Sequence, residues 1–323
     1  PTARGRPACM MATAQKGKAR KGKAKPARKP ASSGGFGGPR AAKIPTLTLS
    51  SGTEVPALAF GTYRTGGEEL QRALRSAITA GYRHIDTASC YQNEDVVAAA
   101  IAESGIARDK FFITTKLWCT DHGTERTRRA IEASLTALKT DYIDNFLIHA
   151  PWQLDVEKPL EEIRELRTQS WLVLEEYHRA GTLRAIGVSN YEPRHIDEIL
   201  ECGTVKPCVN QIEHHAYLTR DEVREYCAEH GILVQAYGSA GAKGLLEDAA
   251  VCEIAAAHGR TPAQVSLKYS LQRGMLVLAK STTEKRIAKN ALLFDFELSD
   301  EEMAALGGLD KGERSYWDNS NVP

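Results

Sequence analysis

The chain has 323 residues, 42% of them hydrophobic and 26% charged, a composition typical of a soluble globular protein with a substantial core. It contains no apolar run of about 18 residues or more, so no transmembrane helix is predicted. The formal net charge is only +1, but residues 1–43 hold 12 Lys/Arg and no Asp/Glu. The rest of the chain is therefore acidic, which argues against a general nucleic-acid-binding role for the folded part.

The seven cysteines form no CxxC pair and have no metal-like spacing with the nine histidines. Their odd number and irregular spacing favour reduced thiols, as in the cytoplasm. We therefore expect a cytoplasmic protein without a metal site. The adjacent pair His214-His215 lacks carboxylate or thiolate partners at ligand spacing, and we interpret it as structural.

Residues 1–43 are rich in Ala, Lys, Arg, Gly and Pro. Such a segment buries too little apolar surface to offset its ordering entropy, so we predict a disordered basic tail. Three interpretations stay open: a transit peptide for a plastid or mitochondrion, an electrostatic tail that binds nucleic acid or anionic surfaces, or a translated leader without function.

The remaining chain, 44–323, reads as one domain built from repeated strand and helix units. Residues 46–56 predict a small hairpin with a Ser-Ser-Gly turn. Eight nearly continuous apolar runs then predict buried parallel strands at 57–60, 82–85, 111–115, 142–148, 183–188, 207–211, 231–237 and 275–279.

Helical patterns separate these strands. Apolar residues recur at helical spacing from Leu70 to Ile78, with Gly81 as the predicted C-cap, and again from Ile131 to Leu138. Further patterns cover 171–177, 223–227 and 263–271. Eight such units predict a (β/α)8 TIM barrel with the hairpin across its bottom. The alternative, a doubly wound open sheet, would require a G-x-G-x-x-G turn that GTYRTGG at 61–67 does not supply.

Polar residues end all eight predicted strands, at the edge where barrel active sites are built. They are Gly61-Thr62-Tyr63, Asp86, Lys116, His149, Ser189-Asn190, Gln211, Tyr237 and Lys280-Ser281. Single polar residues are common at strand ends, but eight in succession predict a functional site.

The stretch YRHIDTASCYQNE, residues 82–94, places the phenol of Tyr91 close to Asp86. Its Asn93 is a favoured N-cap residue and predicts the start of a helix at Glu94. A phenol has a pKa near 10, and we expect the ammonium of Lys116 to lower it towards the range of a general acid. Asp86 would hold Lys116 charged, and His149 could donate a hydrogen bond to a carbonyl oxygen. These four residues suit proton donation to an oxygen whose carbon receives a hydride.

Seven motifs in chain order resemble the aldo-keto reductase superfamily: YRHIDTASCYQNE, TTKLWCTDH, FLIHAP, GVSN, NQIEHHAYLT, AYGSAG and AKSTTEKRIAKN. The resemblance runs from about Thr46 to the C-terminal WD. It implies an NADPH-dependent reductase of aldehydes and ketones, monomeric and without a membrane, with a catalytic tetrad of Asp86, Tyr91, Lys116 and His149. The alternative function is a catalytically silent NADPH-binding, redox-sensing module on the same barrel.

The resemblance also implies the cofactor contacts. Ser189, Asn190 and Gln211 match positions that hold the nicotinamide carboxamide, and Tyr237 matches the ring that stacks on nicotinamide. Lys280, Ser281 and Arg286 match the group around the adenosine 2′-phosphate, which favours NADP over NAD. The expected set is completed by Asn290 at the adenine, Gly238 and Ser239 at the pyrophosphate, and Thr62, Tyr63 and Asp86 at the barrel mouth.

For the substrate we expect contacts from Tyr91, Trp118, His149 and Trp152. The sequence departs from the family pattern at Ala150, where a Trp is common, so the aromatic wall of the pocket is expected to be reduced. Gly238-Ser239 and Lys289 are further departures, on the cofactor side. The tail after Leu309 is short and predicts a small C-terminal lid.

Overall fold

A computed structural model describes residues 42–152, 159–318 and 322; the predicted disorder of the basic tail concerns residues that lie almost entirely outside this part. Eight parallel strands form a closed barrel, which confirms the predicted fold. They are β3 (Leu58–Gly61), β4 (His84–Asp86), β5 (Phe112–Leu117), β6 (Asn145–Ile148), β7 (Ile186–Ser189), β8 (Val209–Glu213), β9 (Leu233–Tyr237) and β10 (Leu276–Ala279). Pairing of β10 with both β9 and β3 closes the sheet.

The predicted hairpin is present as β1 (Thr46–Thr48) and β2 (Glu54–Pro56), which pair antiparallel. Its buried Leu49 and Val55 share one apolar cluster with Phe112, Cys208 and Leu276, which lie at or beside the first residues of barrel strands. The hairpin therefore covers the amino-terminal end of the barrel. The polar residues predicted for the functional site lie at the opposite, carboxyl-terminal end of the strands.

Within the described part of the chain, ten α-helices surround the barrel. They are α1 (Gly67–Ala80), α2 (Glu94–Glu103), α3 (Thr124–Leu138), α4 (Leu160–Arg179), α5 (Pro193–Cys202), α6 (Asp221–Glu229), α7 (Ala249–Ala257), α8 (Pro262–Gln272), α9 (Glu284–Asn290) and α10 (Asp300–Gly307). The sequence analysis gave no helical pattern for α5, α7, α9 or α10. Among the residues described, no helix has the length and apolar character needed to cross a bilayer.

Helix α1 illustrates how the sequence pattern sets the packing. Leu70, Leu74 and Ile78 form its buried face, and full burial of one such side chain contributes about 1.5–3 kcal/mol. The helix ends at Gly81, whose φ of 105° lies in the left-handed region. The Gly81 N–H bonds the carbonyls of Ala77 and Ile78, so the predicted C-cap is confirmed.

Asn93 precedes α2 as its sequence suggests, but its side chain makes no cap hydrogen bond to the helix. Instead, its Nδ2 donates to the carbonyls of Thr62 (3.2 Å) and Thr65 (2.8 Å), and its Oδ1 accepts from the Thr87 hydroxyl (2.6 Å). Asn93 thus joins the loops that follow β3 and β4, and it fixes the positions of two of the polar strand ends.

Candidate active site

A buried ion pair connects the ends of β4 and β5. Lys116 Nζ donates to Asp86 Oδ1 at 2.6 Å and to the Thr87 carbonyl at 2.7 Å, and the two charged side chains are 0% and 3% exposed. Burial raises the pKa of Asp86, while Lys116 and a hydrogen bond from Gln211 act in the opposite direction. The predicted partnership of Asp86 with Lys116 is therefore present as a direct contact.

Tyr91 lies in a short 3₁₀ turn, Ser89–Tyr91, directly after β4. Its ring lies 5.3 Å from Lys116 Nζ and 5.6 Å from the His149 ring, and it contacts Tyr63 at 5.1 Å. The pKa of Tyr91 is raised well above 10, chiefly by burial and then by the Asp86 charge. This is opposite to the lowered pKa expected from the sequence, because burial and the Asp86 charge both raise the pKa of the phenol. The hydrogen bonds of Lys116 go to Asp86 and Thr87.

His149 follows β6 and is buried. Burial, reinforced by the Lys116 charge, holds the pKa of His149 well below 6.5, so its imidazole is neutral at physiological pH. Its Nδ1 lies 3.7 Å from Cys90 Sγ. A neutral imidazole has one N–H, which makes it a hydrogen-bond donor without a positive charge.

A second polar network lies beside the ion pair, at the ends of β7, β8 and β9. Asn190, with a left-handed φ of 63°, donates from Nδ2 to the His149 carbonyl (2.9 Å) and accepts at Oδ1 from the Tyr237 hydroxyl (2.7 Å). Ser189 Oγ donates to the Gln211 carbonyl at 2.8 Å. Gln211 Nε2 donates to Asp86 Oδ2 (2.7 Å), so this network and the ion pair are continuous.

These groups face one open cleft at the carboxyl end of the barrel. Ten of the predicted residues line it: Tyr63, Asp86, Tyr91, His149, Ser189, Asn190, Gln211, Tyr237, Gly238 and Lys280. Trp118 adjoins it through an edge contact with His149 at 5.0 Å. Thr62 is fully buried behind it, where its hydroxyl donates to the Asp86 carbonyl at 3.0 Å.

The predicted cofactor residues outside the lining fall into two groups. The side chain of Ser239 is buried against Ser270, with their hydroxyls 3.2 Å apart, so it does not face the cleft. Ser281 precedes α9, and Arg286 and Asn290 belong to it. Arg286 is exposed and Asn290 is largely buried.

Three lining residues were missed as site residues by the sequence analysis: Leu278, Tyr316 and Trp317. Trp317 lies 5.4 Å from the His149 ring and 6.0 Å from the Trp118 ring, and Trp152 contacts it edge-on at 5.5 Å. The aromatic wall that Ala150 was expected to reduce is thus supplied in part by the C-terminal segment. The available signal was a pair of adjacent aromatic residues in an otherwise polar tail.

The histidine pair is structural in its contacts. His214 stacks on Tyr269 and bonds the Ser270 hydroxyl at 2.9 Å, while His215 Nε2 lies 3.0 Å from Glu213 Oε1. Across the described residues, no group of three or more His, Cys, Asp or Glu side chains is arranged to hold a metal ion.

Residues 57–311 match the model of the aldo/keto reductase family. The chain is 40% identical over 270 residues to a glyoxal reductase of Bacillus subtilis, covering 83% of this chain and 94% of that protein. It is 38% identical over 279 residues to a 9,11-endoperoxide prostaglandin H2 reductase of Trypanosoma cruzi, covering 85% and 95% of the two chains.

The chain belongs to the aldo/keto reductase family.

Solved structures agree with this assignment. An aldo-keto reductase from a Medee basin deep-sea metagenome library superposes with a TM-score of 0.80 at 33% identity, covering 86% of this chain and 99% of that one. The aldose reductase of Schistosoma japonicum gives a TM-score of 0.78 at 35% identity, covering 84% and 94%. This aldo-keto reductase is therefore an oxidoreductase of a family that acts on carbonyl groups.

Proposed function

We propose that this aldo-keto reductase reduces aldehydes and ketones to alcohols with NADPH. The observation that carries the proposal is the cluster of Tyr91, His149 and the Lys116–Asp86 ion pair around one cleft. A phenol and a neutral imidazole offer two hydrogen-bond donors to a single oxygen, and a buried ammonium lies behind the phenol. The glyoxal reductase of Bacillus subtilis, 40% identical, supports a carbonyl substrate.

The residues around the cleft fit a nicotinamide dinucleotide. Gln211 lines the cleft and its Nε2 is committed to Asp86 and Gln235, so its Oε1 would be the atom that accepts a carboxamide N–H. The Tyr237 ring offers an aromatic face beside it. Gly238 also lines the cleft, whereas Ser239 could contribute only its backbone, because its hydroxyl faces Ser270.

The preference for NADPH rests on cations near α9. Lys280 lines the cleft, and partial burial lowers the pKa of its ammonium. Arg286 and Ser281 stand close in sequence and supply a guanidinium and a hydroxyl, and Asn290 remains our proposed adenine contact. A phosphate dianion is bound well by such a set, since charge-assisted hydrogen bonds are roughly twice as strong as neutral ones.

When bound, NADPH supplies a hydride to the carbonyl carbon. Tyr91 donates the proton to the carbonyl oxygen, and its raised pKa keeps the phenol protonated until that moment. The positive charge of Lys116 stabilises the phenolate that forms, and Asp86 holds Lys116 in place. His149 donates its single N–H to the same oxygen and thereby orients the substrate.

The test is NADPH consumption with small aldehydes by the wild type and by Tyr91→Phe. We expect the variant to lose at least about 10²-fold in turnover, while NADPH binding, measured by fluorescence titration, stays nearly unchanged. Turnover retained in Tyr91→Phe would contradict the role of Tyr91. Tight NADPH binding without turnover by the wild type, over a broad carbonyl panel, would instead favour the catalytically silent module.

We also propose a monomer in the cytoplasm. Among the described residues, Cys202, Cys208, Cys227 and Cys252 are thiols, which fits a reducing compartment. Light scattering on the purified protein tests the monomer. A fluorescent fusion carrying residues 1–43, compared with one lacking them, tests whether the basic segment directs the protein to an organelle instead.

A further inference from the structure

The C-terminal segment contacts the barrel at several points, among them Arg314 with Glu192 and the Val322 carbonyl with His195, and one buried carboxylate holds the part that reaches the cleft. Glu213, the last residue of β8, is 1% exposed. It accepts the backbone N–H of Ser315 (2.7 Å) at Oε1 and that of Tyr316 (3.3 Å) at Oε2. His215 Nε2 lies 3.0 Å from the same Oε1. Burying a carboxylate is costly unless donors surround it, so Glu213 and the segment Ser315–Trp317 stabilise each other.

The Tyr316 ring packs against two glycines, Gly238 and Gly241. A Cβ at Gly238 would stand 2.9 Å from Tyr316 Cε2, and a Cβ at Gly241 would stand 2.7 Å from Tyr316 Oη. Real Cβ atoms do not approach other atoms so closely, so larger residues at these positions would displace the ring. The Tyr316 ring also contacts Tyr237 edge-on at 5.5 Å. Its position is therefore fixed by the loop after β9 as well as by Glu213.

The next residue, Trp317, lines the cleft beside His149. Its ring lies 5.4 Å from His149 and contacts the rings of Trp118 (6.0 Å) and Trp152 (5.5 Å), so three indoles form a cluster on the His149 side of the cleft. We expect a flat aromatic ligand to bind to this cluster more tightly than an aliphatic one, because offset or edge contacts between rings add to the free energy of burying apolar surface.

We propose that Glu213 is a positioning residue that docks Ser315–Trp317 and so sets a preference of this enzyme for planar aromatic aldehydes and ketones over small aliphatic ones. The inference rests on the proposed reductase function. Glu213 acts through Trp317, which would contact the substrate, and takes no part in proton transfer. Selectivity is defined below as kcat/KM for benzaldehyde divided by kcat/KM for methylglyoxal.

The first test compares Glu213→Gln with the wild type. The amide keeps the shape of the side chain but replaces one acceptor oxygen by a donor that opposes a backbone N–H. We expect selectivity to fall about tenfold, mainly through a higher KM for benzaldehyde. The matched control is Glu253→Gln on α7, an exposed glutamate remote in sequence from the cleft, which should leave selectivity unchanged. Unchanged selectivity in Glu213→Gln would overturn the proposal.

The second test uses the fit between Gly241 and Tyr316. Gly241→Ala should lower selectivity, because its new Cβ meets the phenol oxygen. Gly241 does not have a positive φ, so the backbone itself accepts alanine. Adding Tyr316→Phe removes the colliding oxygen and should restore most of the lost selectivity. If the two substitutions are simply additive, Tyr316 does not transmit the effect and the proposal fails.

Hydrogen exchange separates this proposal from the proposed function. The amides of Ser315 and Tyr316 should be protected in the wild type and should exchange at least about tenfold faster in Glu213→Gln. That result requires no turnover, so it stands even for a protein that reduces no carbonyl. Equal exchange in both proteins would overturn the docking by Glu213, whatever the activity.

Discussion

Lys116 Nζ lies 2.6 Å from Asp86 Oδ1, and neither side chain is more than 3% exposed. A pair buried so completely is asymmetric in its response to substitution. Loss of the cation leaves a carboxylate with Gln211 as its remaining side-chain partner, whereas Asn in place of Asp86 keeps a neutral acceptor for the ammonium. The pair therefore links the stability of the barrel to its proposed chemistry.

Lys116→Met should destabilise the fold by about 3–5 kcal/mol, as is typical when one partner of a buried pair is removed. Urea unfolding at neutral pH measures this loss. Asp86→Asn should cost less, because it leaves no uncompensated anion. Both variants should lose turnover with small aldehydes, and a Lys116→Met protein of wild-type stability would show that the pair is not a net stabilising contact.

The pH dependence of turnover tests the state of His149. Its lowered pKa means that the imidazole is neutral well below pH 6.5. We therefore expect kcat/KM to show no acidic inflection near pH 6.5. Such an inflection, if it disappeared in His149→Asn, would mean that the imidazole is protonated near neutrality and that its pKa is not lowered.

The exposed guanidinium of Arg286 provides a test of cofactor choice. Arg286→Ala should raise the dissociation constant of NADPH about tenfold and leave that of NADH nearly unchanged, because only NADPH carries the 2′-phosphate. The adjacent Lys285→Ala, also exposed, is the matched control. Equal effects on the two cofactors would place the 2′-phosphate elsewhere.

Buried neutral histidines predict instability in acid. His84, fully buried between the Pro56 carbonyl and the Thr114 hydroxyl, has its pKa lowered to about 4, chiefly by burial. Between the unfolded value of 6.5 and about 4, the unfolded chain binds more protons at this site than the folded chain does. The folded state is thus favoured above pH 6.5 and loses this contribution as the pH falls.

The loss from His84 alone is on the order of 3 kcal/mol. His84→Gln should flatten the fall in unfolding free energy between pH 6.5 and about 4, as measured by urea titration at several pH values. The absolute stability of the variant can be lower at every pH without affecting this slope. A slope equal to that of the wild type would mean that His84 is protonated in the folded state.

The strand ends could be found in the sequence because the periodicity of buried strands fixes where each one stops. Asp86, Lys116 and His149 were placed in this way, and their convergence follows from barrel closure. The bond from Gln211 to Asp86 could not be predicted, since it crosses the barrel between residues 125 positions apart. The hydrogen bonds of Asn93 were missed for a related reason. Its residue type predicted an N-cap of α2, but its side chain bonds instead to three groups in the loops that follow β3 and β4.

The C-terminal segment Ser315–Trp317 was missed as part of the site because it follows α10, where neither helical nor strand periodicity applies. Tyr316 and Trp317 show their role only when the loop after β9 and the end of β8 are in place. The raised pKa of Tyr91 could not be predicted from the sequence either, because it depends on how far the fold buries the phenol and on how near it brings the Asp86 charge.

The proposed proton-transfer groups and the indole of Trp317 belong to parts of the chain that differ in how well they tolerate insertions and replacements. Asp86 and Lys116 belong to strands whose backbones are paired on both sides, so an insertion there would break the barrel. Trp317 lies after α10 and outside the paired strands, so the residues around it can be replaced with the barrel left intact. Exchange of the terminal segment between related enzymes offers a route by which substrate preference could diverge while the reaction is inherited unchanged.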